Sequence, residues 1–161
     1  MKIALGLALL PAAALAFAAC SSPPAQFTAA EEAKVRAQFD STAKWLSAGE
    51  WTSWAGQFAE SAAFQPSNAK ELHGRAAILA YGQAFPPIEH FTIWDVHVWG
   101  EGNLAYGTSA LAIKIKDAPA DTSKQLAVFR RSPAGQWEVA AVSVTSDLKP
   151  APTPPVAVPK K

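Results

Sequence analysis

The stretch HFTIWDVHVWGEGNLAYGTSALAIKI, residues 90–115, decides the fold. On both sides of GEGN, residues 100–103, apolar and polar residues alternate, which is the period of a strand with one buried face. The glycine-bearing break between the two runs reads as a hairpin turn. With GEGN as a symmetric turn, Trp99 faces Leu104, His97 faces Tyr106 and Asp95 faces Thr108. Since side chains alternate along a strand, Asp95, His97, Tyr106 and Thr108 then share one face of the sheet.

Downstream, QLAVFRR (125–131) and WEVAAVSVTS (137–146) carry the same period, joined by a looser KDAPADTSK and by SPAGQ. Upstream the period changes to that of helices. Thr28 followed by Glu31 fits a capping box, Val35, Phe39, Ala43 and Leu46 recur every three to four residues, and Gly49 offers a stop. Trp51, Trp54 and Phe58 share that spacing and predict a short second helix. AAFQP (62–66) reads as a brief strand closed by the turn PSN, and GRAAILAYGQAF (74–85) as a third helix ended by Pro86 and Pro87. Helices first and hairpin-linked strands afterwards predict an α+β domain, with the helices covering one face of a mainly antiparallel sheet.

The two ends read differently. Lys2, the apolar run over 3–19 and small residues before Cys20 make an export signal over 1–19, too short and too interrupted by Gly6 and Pro11 to be a good membrane span. Cys20 is the only cysteine, so no internal disulfide forms. FAAC resembles a bacterial lipobox, which implies a lipid on Cys20, a tether over 20–27 and anchoring in the membrane; the alternative is ordinary cleavage that leaves a free thiol. Ser21 resembles the signal for outer-membrane sorting, so the expected location is the periplasmic side of that membrane. The folded domain spans 28–148, and KPAPTPPVAVPKK (149–161), with five prolines, predicts an extended or disordered tail. A net charge of +1 without a basic run in the domain argues against nucleic-acid binding.

WLSAGEWTSWAGQFAESAAFQP, LHGRAAILAY, FTIWDVHVWGEGNLAYGTSAL and LAVFRRSPAGQWEVAAVSVTSD, in that order over 45–147, resemble the SnoaL-like branch of the nuclear transport factor 2 and ketosteroid isomerase superfamily. The resemblance implies a cone: a strongly bent, mainly antiparallel sheet packed against three N-terminal helices, with an apolar pocket at the wide end. It also leaves open a homodimer through the sheet face. It does not imply activity, because isomerases, cyclases, dehydratases and non-enzymes share the fold. Relatives often carry an acidic residue where this chain has Ser61. On the last strand they commonly carry a polar or acidic residue followed by aromatic-Asn-x-Asp, where this chain has Val142, then Val144, Thr145, Ser146 and Asp147.

Three readings follow. In the first, a small apolar or amphipathic ligand is held by Trp54, Phe58, Ser61, Phe64, Tyr81, Trp99 and Thr145, since apolar pockets with few polar groups suit such ligands. In the second, an isomerase or a hydratase-dehydratase type of enzyme uses His97 with Asp95 or Tyr106 to move a proton. In the third, the pocket is filled by its own side chains and the sheet face binds a partner. His73, His90 and His97 fall in three different elements without cysteine or paired carboxylates at ligand spacing, so no metal and no cofactor is expected.

Overall fold

The computed structural model describes residues 26–148; the export signal, Cys20 and the proline-rich tail lie outside them. Helix α1 (Ala29–Ala48) buries Val35, Phe39 and Leu46 along one stripe and ends on Gly49 at φ +68°, a left-handed cap that suits glycine. The capping box forms by half. Thr28 Oγ1 accepts from the Glu31 amide at 3.4 Å. The Glu31 carboxylate turns instead to Lys34 Nζ (2.9 Å), Trp137 Nε1 (2.6 Å) and Arg131 Nη2 (2.9 Å).

Helix α2 (Trp51–Gly56) is shorter than its aromatic spacing predicts, because Phe58 begins β1 (Phe58–Gln65). The Val139 amide donates to the Gln57 carbonyl at 2.9 Å, so a strand amide takes the group that would continue the helix. Phe58 is still buried, now from a strand. Then follow β2 (Leu72–His73), α3 (Arg75–Gln83), β3 (Ile88–Glu101), β4 (Leu104–Ile115), β5 (Asp121–Arg131) and β6 (Trp137–Ser146). They form one curved, unclosed six-stranded sheet in the order β2-β1-β6-β5-β4-β3, with the helices packed on it. Only β1 and β6 run parallel; the other neighbours are antiparallel.

The β3–β4 hairpin differs from the symmetric four-residue turn. Its turn is the pair Gly102–Asn103, with Gly102 at φ +58°, which lets the ladder continue through Glu101↔Leu104 and Gly100↔Ala105. Trp99 therefore faces Tyr106 and His97 faces Thr108, a slide of two residues that keeps His97, Tyr106 and Thr108 on one face, as expected. Between Trp94 and His97 the register shifts. Asp95 and Val96 stand opposite the single Ser109, and Asp95 adopts φ +53°, the geometry of a β-bulge.

Helix α1 is stitched across the inner face. Arg36 Nη1 donates to the Val96 carbonyl at 2.6 Å, Ser47 Oγ to the Phe91 carbonyl at 3.2 Å, and Gln38 Nε2 to the Trp137 carbonyl at 2.7 Å. Phe39 packs against Phe129 (centroids 5.6 Å apart) and sits over Gly107, where an added Cβ would lie 2.8 Å from its Cζ.

Gly107→Ala is expected to destabilise the fold by about 1–3 kcal/mol, the usual cost of forcing a methyl into a packed core. Urea unfolding checks it, and Gly56→Ala, with open space around its Cβ position, is the control. Glu31 supplies the pH dependence. Hydrogen bonds from Lys34 and Trp137, with the Arg131 charge, lower its pKa from 4.5 to about 2. A carboxyl whose folded pKa is depressed stabilises the fold above its unfolded value and loses that contribution as pH falls from 4.5 towards 2. Glu31→Gln should flatten acid unfolding within that window, as followed by circular dichroism.

Candidate functional site

Between the inner face of the sheet and the three helices lies a cavity of about 310 Å³. One wall is a chain of aromatic rings in edge or tilted contact. Trp54 lies 5.2 Å from Phe58 and 5.8 Å from Phe64, Phe64 lies 5.8 Å from Tyr81, and Tyr81 lies 5.7 Å from Phe85. Such contacts fix ring orientation as well as burying area. Gly82 allows α3 to approach α2 this closely, since a Cβ there would lie 2.7 Å from the Trp51 ring. The opposite wall is the inner face of the strands, with Leu111, Ile113, Ala127, Phe129 and Val142.

Polar groups collect at the two ends. Gln38 and Thr42 from α1 and Gln57 after α2 line one end, where Gln57 Nε2 donates to Thr42 Oγ1 at 2.7 Å. Ser67, Asn68, Asp121 and Ser123 line the other, with Ser123 Oγ donating to Asp121 Oδ2 at 3.3 Å, and Gln125 stands midway along β5. Tyr81 reaches the cavity from α3, and burial pushes its phenol above the ordinary value of 10.0, so at neutral pH it is a neutral hydroxyl.

Of the residues chosen from sequence, Trp54, Phe58, Phe64 and Tyr81 line this cavity. Ser61, Trp99 and Thr145 do not. Ser61 is exposed and accepts from Arg130 Nη2 at 3.3 Å. Thr145 lies beside Asp95, Thr108, Lys124 and Ser143 in a depression on the outer face of the sheet. Strand alternation sends these side chains away from the helices, so expecting the hairpin aromatic to meet the short-helix aromatics is corrected here.

The group His97, Asp95 and Tyr106 is brought together, and on that same outer face. His97 Nε2 and Asp95 Oδ1 are 2.9 Å apart with both side chains exposed. The Trp99 ring stacks between His97 (5.9 Å, 25°) and Tyr106 (5.2 Å, 20°). His73 pairs with Glu71 at 3.8 Å, also in solvent. Among the described residues no three His, Cys, Asp or Glu side chains gather as a metal site would require, and no helix is long and apolar enough to cross a membrane.

The polar lining was not anticipated. Asp121 and Ser123 fall in a segment whose Pro119 and Asp117 suggest a connection, whereas β5 begins at Asp121. The available signal was alternation carried backwards from Phe129 through Ala127 and Gln125, which places Ser123 and Asp121 inward.

No family profile matches the chain, and no curated protein matches its sequence. Solved structures match its fold. A nuclear transport factor 2-like protein of unknown function from Pseudomonas putida KT2440 superposes with a TM-score of 0.65 at 17% identity, covering 76% of this chain and 99% of that one. A protein with a cystatin-like fold from Nostoc punctiforme gives 0.65 at 13% identity, over 76% and 95% of the two chains. A candidate scytalone dehydratase from Novosphingobium aromaticivorans DSM 12444 gives 0.63 at 12%, over 74% and 85%. The chain thus has the nuclear transport factor 2-like, cystatin-like α+β fold. At these identities the likeness carries architecture only.

Proposed function

We propose that this chain binds a small apolar or amphipathic molecule in the cavity between sheet and helices. The observation that carries the reading is the cavity itself: about 310 Å³ lined mainly by aromatic and aliphatic side chains, with most of its polar groups towards the two ends. Apolar cavities of ~150 Å³ take up benzene, so this one has room for a body of roughly two rings. Lys2, the apolar run and Cys20 support export and lipid anchoring at the envelope, with the domain on the periplasmic side of the outer membrane.

The test uses the chain from residue 20 onward with Cys20→Ser, purified without denaturation, and mass spectrometry of small molecules released on unfolding. A stoichiometric apolar compound is expected. Val142→Phe, which places a ring in the cavity from the sheet side, should lower the bound fraction at least tenfold while circular dichroism stays unchanged. Equal loading of Val142→Phe and the parent chain would refute the reading.

A second surface has its own support. Trp94, Trp99, Leu104, Tyr106 and Leu126 are each about half exposed, and the ladder register, with the bulge between Trp94 and His97, places them all on the outer face of β3–β5. An apolar patch of this kind marks an interaction site, and self-association through the sheet face fits it. On this reading the His97–Asp95 pair belongs to the contact surface and not to a reaction centre. Sedimentation equilibrium is expected to give a dimer for the parent chain and a monomer for Trp99→Lys; a monomeric parent would refute the assembly.

A further inference from the structure

The unsatisfied polar atoms along the cavity all have the same character. Among the described residues five buried side-chain atoms lack a hydrogen-bond partner, and the three that belong to cavity residues are Gln38 Oε1, Gln57 Oε1 and Asp121 Oδ1. All three are acceptors. The donors of the two glutamines are already used, Gln38 Nε2 on the Trp137 carbonyl and Gln57 Nε2 on Thr42 Oγ1, both at 2.7 Å. A buried acceptor without a donor costs about 1–3 kcal/mol, so a ligand that brings a donor to it offsets that cost.

The two ends are well separated. Val139 faces Phe129 across the β5–β6 ladder and its amide binds the Gln57 carbonyl, which places the glutamines at the Phe129 end of β5. Asp121 lies eight residues away on the same strand, roughly 26 Å at about 3.3 Å per residue. The lining residues around Asp121 include Asn68, Pro119 and Leu148, all exposed, so the cavity opens at this end.

Charge distinguishes this end further. Among the described residues no Lys, Arg or His nitrogen forms an ion pair with Asp121. Lys114, which reaches the neighbouring Ala118 carbonyl at 2.7 Å, also binds the Ile115 carbonyl at 3.0 Å and pairs with Glu89 at 3.5 Å. Lys124 points to the outer face and pairs with Asp147. One carboxylate oxygen is held by Ser123 and the other is left over.

Resting on the cavity reading above, we infer that Asp121 is the head-group site for a ligand whose apolar body of about two rings ends in a hydrogen-bond donor, a hydroxyl or an ammonium. Carboxylate-headed molecules are disfavoured, because two anions would meet without a cation between them.

Isothermal titration of the chain from residue 20 with Cys20→Ser, using four probes on one scaffold, tests this. The probes are 1-naphthylmethylamine, 1-naphthylmethanol, 1-(methoxymethyl)naphthalene and the carboxylate 1-naphthaleneacetate. The amine and the alcohol are expected to bind at least tenfold more tightly than the methyl ether, with the acetate weakest. Asp121→Leu should remove that preference while ether binding persists. Asp121→Asn, which keeps an acceptor oxygen but no charge, should weaken the amine relative to the alcohol and retain the alcohol's preference over the ether. Ether binding as tight as the alcohol, or a donor preference that survives both variants, would overturn the head-group assignment and leave the cavity reading standing. No binding by any probe to the parent chain would overturn both.

Discussion

The bulge in β3 and the arginine that holds it shape the rest of this molecule. Two residues, Asp95 and Val96, stand opposite Ser109, so the strand bends and a backbone carbonyl turns inward. Arg36 on α1 accepts that geometry by donating to the Val96 carbonyl. The bend carries the hairpin around the helix, and the helix in turn is fixed to the far strand by Gln38 on the Trp137 carbonyl. A flat sheet would press its inner residues against α1 along its whole length. A curved one touches α1 at Phe39, over Gly107, and leaves room beyond.

That room is kept open by aromatic rings that lean on each other. From Trp51 to Phe85 and Tyr81, then to Phe64, Trp54 and Phe58, each ring meets the next edge-on or tilted. Stiff side chains with few rotamers collapse poorly into a void, which is why a wall of rings preserves one where leucines or methionines would fill it. The structure separates two surfaces that share a sheet: an inner one that is enclosed and apolar with acceptors at its ends, and an outer one that is open, aromatic and bears the His97–Asp95 pair.

Elements with a clean period were legible in the sequence. The β4 and β6 bounds follow from apolar runs of period two bounded by turn residues, although the β6 alternation breaks at Ala140, and α1 follows from its heptad-like stripe and Gly49. That His97 and Tyr106 share one face was legible too, because sliding the hairpin by two preserves side-chain direction. Which of the two faces the helices cover was not, since both carry apolar residues; hence Trp99 was expected at a pocket it turns away from. Phe58 was misplaced because a spacing of three to four from Trp54 suits a helix, while a long-range bond from Val139 to Gln57 ends the helix first. Asp121 and Ser123 escaped notice because polar residues at the start of a strand look like loop until their partner strand, here Ile113 onward, is known.

Phe27 gives the molecule a direction. Its ring lies edge-on to Trp137 at 5.6 Å and over Gly100, so the chain leading from residue 20 joins the domain at the hairpin end of the strands. The cavity opens near Asp121, which pairs with Ile113, whereas Gly100 pairs with Ala105, eight residues earlier on β4. Under the anchoring proposed above, the tethered pole would rest near the bilayer and the opening would look outward into the aqueous space, roughly 26 Å farther along the strands.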